Sequence, residues 1–137
     1  MMKRIIAALL FTLPMLACAE LAVVTSDRAS LNSLTENEVK QLFSGQLRQI
    51  GGNRIQPLDL PSSSKLREEF YRKLLGRSPE QMRAYWTRLI FTGQGQPPRE
   101  VSGAQEMGTL LNSSLEFIGY LPVEELTGNT KVLYRLP

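Results

Sequence analysis

The first nineteen residues limit what the rest of the chain can build. Lys3 and Arg4 form a short positive segment, and Ile5 to Leu16 is apolar except for Thr12, with Pro14 near its end. Ala17-Cys18-Ala19 then puts small residues at the two positions a signal peptidase reads, so the expectation is a signal peptide over 1–19, cleaved before Glu20. The apolar run is shorter than the roughly 20 residues a bilayer span needs. No membrane span is expected after cleavage, and the expected location is the periplasm. Cys18 also raises lipid attachment, but Met15-Leu16-Ala17 before it fits the bacterial lipoprotein pattern poorly. What remains, 20–137, is enough for one domain with one hydrophobic core.

Within that span the chemistry is further restricted. Without Lys3 and Arg4 the chain carries 14 basic and 13 acidic residues, so the basic character of the full sequence owes much to the leader. That near balance gives no reason to expect a nucleic-acid partner. The single cysteine, Cys18, lies in the leader, so the mature chain has no disulfide and depends on its core. There is no histidine. Ser-His and Cys-His nucleophile pairs are therefore excluded, and zinc loses its usual nitrogen ligand. The chain reads as non-enzymatic, with no catalytic residue, metal site or cofactor to assign.

The periodicities describe a strand–helix mixture. Leu21-Ala22-Val23-Val24-Thr25 reads as a buried strand. Thr35 and Glu38 make a capping box for a helix that carries Val39, Leu42 and Phe43 inward and ends at Gly45. Gln46 to Arg54, with Gly51-Gly52-Asn53, is turn chemistry. Ile55 to Leu60 reads as a strand, which Pro57 would confine to an edge or a strand end. Ser62-Ser63-Ser64 opens a helix with Leu66, Phe70 and Leu74 on one face, stopped by Gly76. Ser78-Pro79-Glu80-Gln81 starts the next, lined by Met82, Tyr85, Trp86, Leu89 and Ile90. Ser102 and Gln105 are expected to cap a fourth helix, and Phe117 to Leu121 and Lys131 to Leu136 close the chain as strands. The expected fold is a small α/β layer structure with a mixed sheet.

One segment has the composition of a ligand site: Asp59-Leu60-Pro61-Ser62-Ser63-Ser64-Lys65-Leu66-Arg67. Unpaired N–H groups at a helix N-terminus and the helix dipole favour an anion there. Serine hydroxyls can donate to the same oxygens, and Lys65 or Arg67 can add charge. Capping alone would account for one of the serines. Other motifs carry less. Ser62 and Lys65 form a Ser-x-x-Lys without its companion motifs, and Gly93-Gln94-Gly95 lacks a third glycine and follows a helix. Tyr85-Trp86 reads as core on an amphipathic helix, and the arginines from Arg72 to Arg88 alternate with glutamates as an ordinary charged exterior.

An ordered set of segments resembles a known family. Leu34-Thr35, Val39, Leu42-Phe43-Ser44-Gly45, Asp59 with the serine-rich helix start, Trp86, Phe91 to Pro98 and Phe117-Ile118-Gly119-Tyr120 follow one another as in one lobe of the phosphate-type substrate-binding proteins of bacterial ABC transporters. The resemblance covers essentially all of 20–137. It implies a single three-layer lobe of the type II periplasmic-binding-protein-like fold, a mixed sheet flanked by helices, acting as a binding module in transport. The resemblance matches Asp59 and, loosely, Ser62, Ser63 and Ser64; with Arg67, taken from the charge of the same segment, these are the ligand-binding candidates, toward phosphate or another small anion. Two departures stand out. Pro57 occupies the place of the family's clamping arginine, and Pro61 with the serines replaces its glycine-containing turn. An isolated lobe also leaves its ligand half in water, where charge counts for less. The alternative is an interaction protein that keeps the lobe without the ligand, docking on an envelope protein such as a transporter, a sensor ectodomain or a second lobe.

Overall fold

The computed structural model describes residues 20–137, and the signal-peptide, cleavage and Cys18 expectations lie outside the described residues. A five-stranded mixed sheet is flanked by helices. Its strands are β1 (Leu21–Ser26), β4 (Gln56–Asp59), β5 (Arg99–Glu100), β6 (Phe117–Pro122) and β7 (Thr130–Arg135), in the spatial order β5-β4-β6-β1-β7. A separate hairpin joins β2 (Gln49–Ile50) to β3 (Asn53–Arg54). Gly51 and Gly52 both take positive φ, 58° and 80°, in its two-residue turn, a conformation glycine reaches without steric cost. The helices are α1 (Glu36–Phe43), α2 (Lys65–Leu75), α3 (Pro79–Phe91) and α4 (Ala104–Ser113). None of the described helices is long and apolar enough to cross a membrane.

Every residue of β1 is buried, because β6 and β7 pair antiparallel on its two sides and apolar layers cover it. Both expected capping boxes form. Thr35 and Glu38 exchange side-chain and backbone hydrogen bonds at α1, as do Ser78 and Gln81 at α3. At α2, Ser64 Oγ accepts from the Arg67 N–H and Gly76 closes the helix at φ 65°. In the core, Phe70 stacks flat on Tyr120 at 3.8 Å between ring centroids, and Phe43 meets both edge-on.

Three local expectations change. Of the two places expected for Pro57, the edge is excluded because β4 runs parallel to both β5 and β6, and the strand end holds, since Pro57 is the second residue of β4. The backbone alternation explains the tolerance. Gln56 N–H donates to Glu116 O on the β6 side, and Asp59 C=O accepts from Val101 N–H on the β5 side. The Pro57 nitrogen therefore faces the β5 side, one residue before pairing with β5 begins at Leu58, and no ladder bond is lost. The fourth helix starts at Ala104 after an extended Gly103, without a side-chain cap, since the Ser102 hydroxyl donates to the Glu106 carboxylate instead. Ile90, expected on the buried face of α3, is 56% exposed, and its neighbour Phe91 is 90% exposed.

Candidate functional site

The parallel strands β4 and β5 end side by side, and the chain leaving β4 turns through Leu60–Ser64 directly into α2. The carboxyl ends of parallel strands are the usual place for a ligand crevice in α/β sheets. Here those ends deliver Asp59 and Glu100, which are register partners.

Asp59 turns inward and is 1% exposed. Its Oδ1 accepts from the Tyr120 hydroxyl at 2.5 Å and its Oδ2 from the Tyr71 hydroxyl at 2.6 Å. Arg67 Nε lies 3.5 Å from Oδ2. The Tyr120 oxygen in turn accepts from the Leu60 N–H at 3.3 Å. Burial pushes the Asp59 carboxyl above its ordinary value, against the opposing pull of the Arg67 charge and the tyrosine hydrogen bonds. Burial and the adjacent carboxylate push both phenols upward, so Tyr71 and Tyr120 stay protonated donors. In this arrangement Asp59 pins the start of α2 to β6 and presents no open oxygen to a ligand.

Arg67, one turn into α2, is shared three ways. Its Nη1 donates to Leu60 O at 2.9 Å and lies 3.4 Å from Glu100 Oε2, while Nε faces Asp59. The other oxygen of the same glutamate, Oε1, accepts from the Ser62 N–H at 3.3 Å. Glu100 thus brings a carboxylate to the start of α2, between a backbone donor and a guanidinium. The Ser62 N–H belongs to the turn before the Ser64 cap, so Glu100 meets a turn amide and a guanidinium beside the helix start, short of the unpaired first-turn N–H groups that favour anions at a helix N-terminus.

The sequence candidates separate accordingly. Ser62 and Ser63 are exposed at the helix start, Ser64 is its half-buried cap, and Arg67 stands behind them with a partly exposed guanidinium. Asp59 lies beneath them, screened by Tyr71 and Tyr120. The residues that sequence reasoning passed over are Glu100, Tyr71 and Tyr120. Tyr71 showed only a core signal, Tyr120 only its place in the Ile-Gly-Tyr segment, and Glu100 no local signal, as it reaches α2 from 38 residues away.

The architecture is that of one lobe of a periplasmic-binding-protein-type fold. The chain superposes on an ABC-type phosphate transport receptor from Vibrio cholerae with a TM-score of 0.66 and 21% identity, covering 84% of this chain and 45% of the receptor. PstS from Borrelia burgdorferi matches with a TM-score of 0.63 and 18% identity, 84% of this chain and 46% of that protein. A Clostridium perfringens protein described as a phosphate ABC transporter substrate-binding protein with bound phosphate matches at 0.65 and 18%, with 84% and 44% coverage. The chain therefore spans less than half the length of these proteins. At this identity the likeness is one of fold. A scan of protein-family models and a search of curated proteins returned no match.

Proposed function

We propose that the chain is an exported, non-enzymatic binding module that takes a small oxyanion, such as inorganic phosphate, weakly at the start of α2. The observation that carries this reading is the Glu100 carboxylate at the Ser62 N–H and Arg67: these groups already hold one oxyanion, supplied by the protein itself. Likeness to lobes of phosphate-binding proteins supports the same class. Affinity is weak for two reasons. An incoming anion must displace Glu100, and the Arg67 and Glu100 side chains are partly exposed, where each charge contact is worth little. Pro57 supplies no charge where the resemblance would place an arginine.

The test is thermal. A ligand that binds only the native state raises the melting temperature by mass action. Millimolar phosphate is expected to give a small rise in wild type and a larger one in Glu100→Gln, which frees the Ser62 N–H and Arg67 from a charged competitor. No rise in either protein removes the reading.

A second reading, an envelope-protein docking module, draws on one observation: Phe91 is 90% exposed beside an exposed Ile90 at the end of α3. Such a pair is open to burial by a partner. That reading takes precedence if phosphate leaves both melts unchanged and Phe91→Ser abolishes capture of a specific envelope protein.

Export has its own check. Intact-mass analysis of secreted protein is expected to show a chain starting at Glu20. An acylated Cys18 species would place the protein among lipoproteins, and an uncleaved Met1 form would show an anchor.

A further inference from the structure

The start of α2 opens into a cleft of about 430 Å³ between α2, α3 and the Pro97–Glu100 segment. That volume falls in the range of roughly 300–1,000 Å³ typical of small-molecule sites, and it far exceeds what an inorganic oxyanion fills. Its lining is of two kinds. Ser62, Arg67 and Glu100 meet at one end with the exposed Glu68 beside them, while Tyr71, Met82 and Trp86 give the wall a flat, apolar character.

Two polar groups on residues that line the cleft lack a protein partner among the described residues, one of them shielded from solvent. Trp86 is 6% exposed, and its Nε1 is buried with no hydrogen-bond acceptor among the described residues. The opposite, benzo edge of the indole abuts Gly45, where a Cβ would lie 3.2 Å from Cζ3, so the ring is fixed with its N–H side away from that contact. An unpaired buried donor is costly and uncommon in folded proteins. Arg83, on the exposed rim of the same cleft, forms no ion pair within 4 Å among the described residues.

We propose that this cleft binds an organic anion with a flat apolar body, in chemical class an aryl phosphate or aryl carboxylate. The anionic head takes the Ser62 N–H and Arg67 in place of the Glu100 carboxylate. The ring lies along Tyr71, Met82 and Trp86, and Arg83 adds a second positive charge at the rim. The head position rests on the oxyanion reading above; the cleft extends it to a ligand class whose body adds affinity.

Trp86 is the only tryptophan in the chain, so its emission reports on the cleft alone. Phenyl phosphate, inorganic phosphate and the neutral benzyl alcohol are titrated against tryptophan fluorescence and thermal melting. Phenyl phosphate is expected to change the emission saturably and to bind at least about fivefold tighter than inorganic phosphate, the scale set by burying part of an aromatic ring. Benzyl alcohol is expected to show no saturation. Thr87 lines the cleft and is exposed, so Thr87→Phe fills it without touching the core. That variant is expected to lose the preference for phenyl phosphate and keep its response to inorganic phosphate. Equal binding of the two phosphates overturns the cleft and leaves the oxyanion site standing. Preference that survives Thr87→Phe, or benzyl alcohol binding as tightly as phenyl phosphate, also overturns it. Absence of binding by either phosphate removes both proposals.

Discussion

Replacing Asp59 by alanine is expected to destabilise the protein by about 3–5 kcal/mol, as removal of one member of a buried charged network does. Its two oxygens satisfy the hydroxyls of Tyr71 and Tyr120, both buried, and it faces Arg67. Each stranded hydroxyl alone costs about 1–3 kcal/mol. At roughly 4 °C per kcal/mol for a domain of this size, the melting temperature falls by more than about 10 °C. Asp59→Asn keeps the shape and one acceptor, so its loss is smaller. The pH dependence has a definite sign. Burial raises the folded-state pKa of Asp59 above its ordinary 3.8. Between the two values the native state therefore holds more protons than the unfolded chain, and the slope of stability against pH is negative. The Asp59 contribution is fully present below about pH 4 and is lost as pH rises through the folded-state value. Urea unfolding at a series of pH values from about 4 to 7 is expected to show the advantage of wild type over Asp59→Asn shrinking as pH rises. An advantage that widens instead would mean that Arg67 outweighs burial.

Trp86→Ala is expected to cost about 3–5 kcal/mol, the usual consequence of truncating a large buried aromatic. The indole is 6% exposed, lies edge-on to Tyr85 and closes against Gly45. With no disulfide in 20–137 and a total stability of about 5–15 kcal/mol for natural domains, such a loss brings the protein close to unfolding at ambient temperature. Trp86→Phe separates packing from polarity. Because Nε1 has no partner among the described residues, the phenylalanine variant is expected to retain most of the stability. A Trp86→Ala melt within a degree or two of wild type would place the indole on the surface and contradict this packing.

The parts of the fold that were legible in sequence are those fixed within a few residues. The capping boxes at Thr35 and Ser78 are complete within four residues and form as expected, and the all-apolar start of β1 could only be an interior strand. Pro57 was only half legible: its place near a strand end held, but that the strand is interior depends on which neighbour its nitrogen faces, a property of strand order and not of the local sequence. Ile90 follows the α3 periodicity yet lies outside, because the helix's buried stripe is narrow and centred on Met82, Trp86 and Leu89.

The candidate site divides along the same line. Ser64 as cap and Arg67 near the helix start were readable, since both are set by the helix itself. The inward turn of Asp59 was not, because the tyrosines that hold it lie 12 and 61 residues away. Glu100 was hidden for the same reason: nothing in Pro97-Pro98-Arg99-Glu100 shows that the short β5 strand will align it with Asp59. The resemblance picked out Asp59 and the serines, and the charge of the segment added Arg67; the packing brings all of them to the start of α2. Their division of labour, with a structural aspartate and a carboxylate stand-in from another strand, follows only from the packing.

The most direct measurement is of the backbone at the start of α2. In proton–nitrogen correlation spectra of isotope-labelled protein, titration with inorganic phosphate is expected to shift the Ser62, Ser63 and Lys65 amide resonances and the Arg67 Nε–H saturably, with larger changes in Glu100→Gln. Amides of β1 and β7, away from the site, are expected to stay in place. Phosphate that leaves the Ser62–Lys65 amides unmoved in both proteins, or that shifts resonances evenly over the whole surface, would contradict an oxyanion site at this helix.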